Sequence, residues 1–85
     1  MGAELRELKA RAQKLDPILH VGKHGLSDSF LESVDRALND HELIKIKFAA
    51  FKEEKKTLAP RIAEKTGSQL IMRVGNVAVY YRRRA

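Results

Sequence analysis

The sequence predicts an α/β fold in which a four-stranded mixed sheet carries helices packed on it. Three observations carry that expectation. Apolar residues recur at three- and four-residue steps in the first half of the chain, which is the period of a one-faced helix. Later segments alternate apolar and polar residues with a period of two, the mark of a strand. Near the end, two such strands flank Gly75-Asn76, and glycine in the first central position is what a type II′ hairpin turn requires.

Taken in order, Leu5, Leu8, Ala12 and Leu15 place one narrow apolar face on a helix running from Ala3 to Leu15. Asp16-Pro17 stops it, because the proline ring disfavours helical geometry at the preceding residue. Ile18-Leu19-His20-Val21 reads as a short buried strand bounded by Gly22. Ser27 then suits an N-cap, with Leu26 positioned to staple against Leu31 and Asp28 favourable on the helix dipole. The second helix shows the stripe Phe30, Leu31, Val34, Ala37 and Leu38 and is expected to end near Asp40-His41.

Leu43 to Phe48 alternates, with Ile44, Ile46 and Phe48 on one face and Lys45 and Lys47 on the other, so this strand is expected to have a wet face. Residues 53 to 66 have helical composition, and Gly67 is placed as a left-handed residue closing that helix. Pro60 falls inside it, so a kinked or frayed first half is expected, with the regular part starting near Thr57. Gln69 to Val74 and Val77 to Arg82 complete the order helix-strand-helix-strand-helix-strand-strand, which implies parallel crossovers followed by one hairpin. No repeat, linker or low-complexity segment interrupts it, and residues 1–85 are read as one domain with 83–85 as a flexible basic tail.

The chain has 85 residues, 17 Lys and Arg against 11 Asp and Glu, a formal charge of +6 and no cysteine. The charge points to an anionic partner, nucleic acid first. Net charge of this size also serves solubility, so the placement of the cations must decide. Without cysteine there is no disulfide, thiolate metal site or thiol nucleophile. No apolar run fits a secretory signal or a membrane span, and the default compartment is the cytoplasm.

The segment that points most directly to a ligand is Gly22-Lys23-His24-Gly25, between a strand and a capped helix. Two glycines let the backbone turn tightly and come close to a ligand, and the following helix directs free N–H groups and positive dipole outward. Lys23 adds a point charge, and His24 can donate to a phosphate or stack on a base. A plain strand-to-helix turn also uses two glycines, so the motif alone is weak. Other cations that a nucleic acid could meet are Lys9 on the first helix, Lys45 and Lys47 on the second strand, Arg73 on the third, and Arg82, Arg83 and Arg84 at the C-terminus. Tyr80 shares a strand face with Ala78 and Arg82, where it either stacks on a base or covers a sheet face.

His20, His24 and His41 have no partner at metal-ligand spacing, and no nucleophile motif, Walker loop or dinucleotide fingerprint is present. The expectation is a binding protein rather than an enzyme, with no cofactor, metal, membrane or small-molecule substrate. A protein-interaction module for an acidic protein partner is the alternative.

The run from Leu15 to Leu26 (LDPILHVGKHGL), with His41-Glu42-Leu43-Ile44-Lys45, Thr66-Gly67 and Val79-Tyr80-Tyr81-Arg82, resembles the CRM domain family in its stand-alone bacterial YhbY-like form over nearly the whole chain. The resemblance implies a fold similar to the C-terminal domain of translation initiation factor 3. It also implies that Gly22, Lys23, His24 and Gly25 with neighbouring basic residues contact RNA. The RNA implied is ribosomal, in precursors of the large ribosomal subunit. Pro60 departs from the uninterrupted third helix that the family implies.

Overall fold

The computed structural model describes residues 2–83, with side chains from Glu4 onward. Helix α1 spans Gly2–Gln13, α2 Asp28–His41 and α3 Lys55–Thr66; strands β1 to β4 span Leu19–Val21, Leu43–Phe48, Gln69–Val74 and Val77–Tyr81. The sheet order is β1-β2-β4-β3. β1 lies parallel to β2, while β4 is antiparallel to both β2 and β3. Each parallel step is made by a helix, α2 between β1 and β2 and α3 between β2 and β3, as parallel connections require.

The two sheet faces bury different helices. On one face Val34 and Leu38 of α2 and Ala59 and Ile62 of α3 meet Val21, Ile44, Ile46, Phe48, Ala78 and Tyr80, forming the main core. On the other, Leu8 and Ala12 of α1 cover Leu43, Ile71 and Val79, with Leu5, Met72 and Tyr81 at the margin. The result is three layers, α1 on one side and α2 with α3 on the other. A β-bulge between Leu70 and Met72 shifts the β3–β4 register. It lets Ile71 and Met72 both serve the α1 side, since an extra residue on one strand re-aims its side chains.

The local signals act as their chemistry dictates. The Ser27 hydroxyl accepts the Phe30 N–H at 3.1 Å and caps α2. Gly67 closes α3 in the left-handed region at φ 64°, and its N–H and that of Ser68 converge on the Ala63 carbonyl. Gly75 has φ 58°, whereas Asn76 stays outside the positive-φ region, the combination that type II′ allows and type I′ does not.

Four expectations need correction, the first at β1, which is not a buried strand: Ile18 lies outside it and is exposed, His20 is exposed, and only Val21 is buried. The wet face of β2 is only partly wet: Leu43 shares the lysine face and is buried under α1, Lys45 is half-buried, and Lys47 alone is exposed. Leu15 lies past the end of α1 and is exposed rather than part of its buried stripe. α3 runs unbroken from Lys55 with Pro60 on its exposed side, preceded by a turn over residues 52–54 instead of a frayed helix. Burial of Ala59 and Ile62 on either side of the proline fixes the helix in place, so tertiary packing overrides the local cost. Tyr80 does not reach solvent. It is 0% exposed, and its hydroxyl donates to the Ala59 carbonyl at 2.9 Å. Burial also pushes its phenol well above the ordinary value; of the two readings of Tyr80, the one in which it covers a sheet face holds and base stacking does not.

Candidate nucleic-acid interface

Because β1, β2 and β3 all point the same way, their C-terminal ends share one edge of the sheet. Three connections meet there: the turn at 22–25, the segment at 49–54 and the hairpin turn at 75–76. The first is a β-turn closed by the Gly25 N–H donating to the Gly22 carbonyl at 3.0 Å, with Lys23 and His24 exposed at its tip. The second is tied to the first: the N–H groups of Ala49 and Ala50 both donate to the Val21 carbonyl, at 3.1 and 2.9 Å. The third is held by the Phe48 N–H on the Asn76 carbonyl and by Lys55 Nζ, which donates to Asn76 Oδ1 at 2.9 Å. A loop joined to its neighbours in this way presents its tip in a defined place.

The two glycines of the turn have different roles. Gly25 has φ +61°, a backbone conformation that L side chains rarely adopt, so conformation calls for glycine; a Cβ there would make ordinary contact with the Phe51 ring at 3.4 Å. Gly22 is outside the left-handed region and nothing lies within 4 Å of the Cβ position. What its missing side chain leaves is open approach to the backbone from solvent.

Beside the turn, His20 and Lys47 are cross-strand partners on the α1 side of the sheet, and both are exposed. Further along that face Lys45 and Gln13 border an apolar groove of about 310 Å³ floored by Met72, Val77 and Val79. Lys9 is half-buried on α1. The structure therefore brings Lys23, His24, Lys47 and, deeper, Lys45 toward one side of the molecule.

It does not bring Arg73 or Arg82 there. Arg73 pairs with Ala78 and so faces the α2 and α3 side, away from both lysines. Arg82 sits at the opposite end of the sheet. Its neighbour Tyr81 pairs with Leu43 while Lys47 pairs with Val77, and four strand steps at about 3.3 Å each separate the two ends by roughly 13 Å. The Arg82 guanidinium is engaged internally, donating through one nitrogen to Asp35 Oδ1 at 2.6 Å and the Thr66 carbonyl at 2.7 Å, and through the other to the Asp35 carbonyl at 3.0 Å and Asn39 Oδ1 at 2.8 Å. It ties β4 to the ends of α2 and α3. Arg83 is exposed beyond it, and Arg84 lies outside the described residues.

The outer face of α2 is no cation surface either, since Asp28, Glu32 and Asp35 line it with Arg36 and Lys65. Asp28 in its first turn already balances the helix dipole.

The sequence pattern passed over two residues at this edge. It assigns His20 to a short buried strand and finds it no metal partner, although strand alternation puts it on the exposed face with Lys47. Phe51 belongs to no periodic pattern, yet it has φ 54° and is 39% exposed beside the turn. Among the described residues no group of three or more His, Cys, Asp or Glu could hold a metal ion, and no helix is long and apolar enough to cross a membrane.

Comparison with known proteins agrees with this architecture. The family model described as the CRS1 / YhbY (CRM) domain matches residues 1–82. A Pseudomonas aeruginosa protein named "Probable RNA-binding protein PA4753" is 35% identical over 79 residues, covering 92% of this chain and 76% of the relative. The Bacillus subtilis "Probable RNA-binding protein YqeI" is 34% identical over 82 residues, covering 95% and 85%. In structure, the chain resembles SAV1595 from Staphylococcus aureus, titled "a putative RNA binding protein", with a TM-score of 0.82 and 33% identity over 100% of this chain and 90% of that one. These relatives are named for RNA binding and not for a catalytic activity. With the family model spanning all but the last three residues, the chain belongs to the CRS1 / YhbY (CRM) domain family.

Proposed function

We propose that this protein binds structured RNA without chemistry, gripping the phosphate backbone through the turn Gly22-Lys23-His24-Gly25. The observation that carries this reading is the turn itself: an exposed lysine and histidine at its tip, an unobstructed Gly22 behind them, and His20 and Lys47 alongside. Gly22 admits the backbone of the ligand, Lys23 and Lys47 neutralise phosphates, and His24 donates a hydrogen bond. Such contacts position a protein on RNA without reading its sequence. The RNA is ribosomal, in a precursor of the large subunit, in keeping with the family resemblance.

The electrostatics set a magnitude. With Lys23, Lys45 and Lys47 each meeting a phosphate, a slope of about 0.7–0.9 per contact makes a rise from about 50 to 200 mM salt cost roughly 20- to 40-fold in affinity. The test is the double substitution Lys23→Asp with His24→Asp, titrated against a large-subunit ribosomal RNA fragment with thermal melts alongside. Affinity should fall more than tenfold at unchanged Tm; unchanged affinity would remove the turn from the interface. Crosslinking in cells followed by sequencing should recover large-subunit RNA. Capture of an acidic protein that survives nuclease treatment, with no RNA recovered, would favour a protein partner instead.

A further inference from the structure

We propose that Phe51 is a stacking platform for one unpaired nucleobase next to the phosphate held by the 22–25 turn, so that the preferred RNA is a helix interrupted by a bulged or looped nucleotide. This rests on the RNA-backbone reading of the turn. Phe51 has φ 54°, a left-handed conformation that is uncommon for a bulky residue and persists only where surrounding structure enforces it. Here the enforcement is visible: Ala49 and Ala50 are tied to Val21, and the Glu54 N–H donates to the Phe51 carbonyl at 3.1 Å.

The ring so placed is not used to fill the core. Phe48 on the same stretch of chain is 0% exposed, whereas Phe51 remains 39% exposed. Its Cε2, Cζ and Cδ2 atoms lie 3.4 to 4.0 Å from where a Gly25 Cβ would stand, so glycine backbone of the turn supports it. Lys52 follows it directly in the chain, Lys23 belongs to the turn on which the ring rests, Lys56 lies in the first turn of α3, and all three are exposed. An aromatic face among cations that hold the backbone is the arrangement by which single-stranded nucleotides are bound, and because every base has a π-face the preference among bases is weak. A protein partner is disfavoured, because one isolated ring among lysines offers little apolar area.

The test uses the full chain and three RNAs sharing one stem: fully paired, with a single bulged nucleotide, and with an abasic residue at the bulge. The chain contains no tryptophan, so Phe51→Trp introduces a lone reporter. Its emission should be quenched by the bulged RNA and much less by the abasic one. Wild type should prefer the bulged over the paired RNA by roughly tenfold, within the range of one base–aromatic stack. Phe51→Leu should abolish that preference, Phe51→Tyr should keep it, and affinity for the paired stem should be unchanged in both.

Equal loss on all three RNAs in Phe51→Leu would overturn the proposal, leaving Phe51 as a support for the turn. Equal quenching by abasic and bulged RNA would overturn it as well. The Lys23→Asp, His24→Asp protein separates the two readings: it should weaken all three RNAs alike. If it weakens none, the turn assignment fails, whatever Phe51 does.

Discussion

Replacing Arg82 by alanine should unfold this protein at a lower temperature without weakening its hold on RNA. The guanidinium makes two hydrogen bonds to backbone carbonyls and two to the side chains of Asp35 and Asn39. Its side chain is 21% exposed and that of Asp35 56%, so the ion pair is screened and counts for under about 1 kcal/mol. The bond to the partly buried Thr66 carbonyl is less screened, and charged hydrogen bonds of that kind contribute about 1.5–3 kcal/mol. Taking the low end of both gives about 2 kcal/mol, which for a domain of this size lowers Tm by roughly 8–16 °C. Lysine lacks the planar fork and cannot reach both helix ends, so Arg82→Lys should recover less than half of the loss. The assay is circular dichroism melting of the variants, with RNA titrations at a temperature where all are folded. A Tm within about 2 °C of wild type, accompanied by a tenfold loss of affinity, would refute the argument and return Arg82 to the RNA surface.

Gly25→Ala should cost about 1–2 kcal/mol, because its φ of +61° is strained for any L side chain, whereas Gly22→Ala should leave Tm unchanged while Gly22→Val lowers RNA affinity; a melt and a titration of each decide it. Tyr80→Phe should cost about 1 kcal/mol for the lost bond to Ala59. The Tyr80 pKa is raised by burial, so its contribution is complete below the unfolded value near 10 and is lost as pH rises past it. Urea melts at about pH 9 and 11 should therefore show a loss in wild type that is smaller in Tyr80→Phe, and an identical loss in both would contradict the assignment. Removing residues 83–85 should leave Tm unchanged and reduce affinity by less than about threefold, since exposed arginines each add around one unit or less of salt slope; a larger loss would extend the interface to the far end of the sheet.

What could be read from the chain was what neighbouring residues decide together. The Ser27 cap, the Gly67 closure, the Gly75 turn and the Val34 and Leu38 stripe each depend on a few consecutive positions, and each stands where the pattern puts it. The residues left open or misplaced are those whose environment comes from afar. Tyr80 finds Ala59 across 21 residues and Arg82 finds Asp35 across 47, and strand alternation says only which face each occupies. Alternation likewise separated Lys45 and Lys47 from the apolar face of β2 without revealing that α1 lands on Leu43 beside them. In the candidate site, the two glycines were evident, but not that Gly25 alone of the pair takes a positive φ, nor that the ring resting beside it belongs to a segment 26 positions later with no periodic signature.

Backbone amide shifts of labelled protein, titrated with a large-subunit ribosomal RNA fragment, test the central claim most directly. The account predicts that the largest changes fall on residues 20–25, with smaller ones at Lys47 and residues 49–52, while Asp35, Asn39 and Arg82 remain still. Perturbations gathered around Arg82 and Arg83, with the 22–25 turn unmoved, would contradict it.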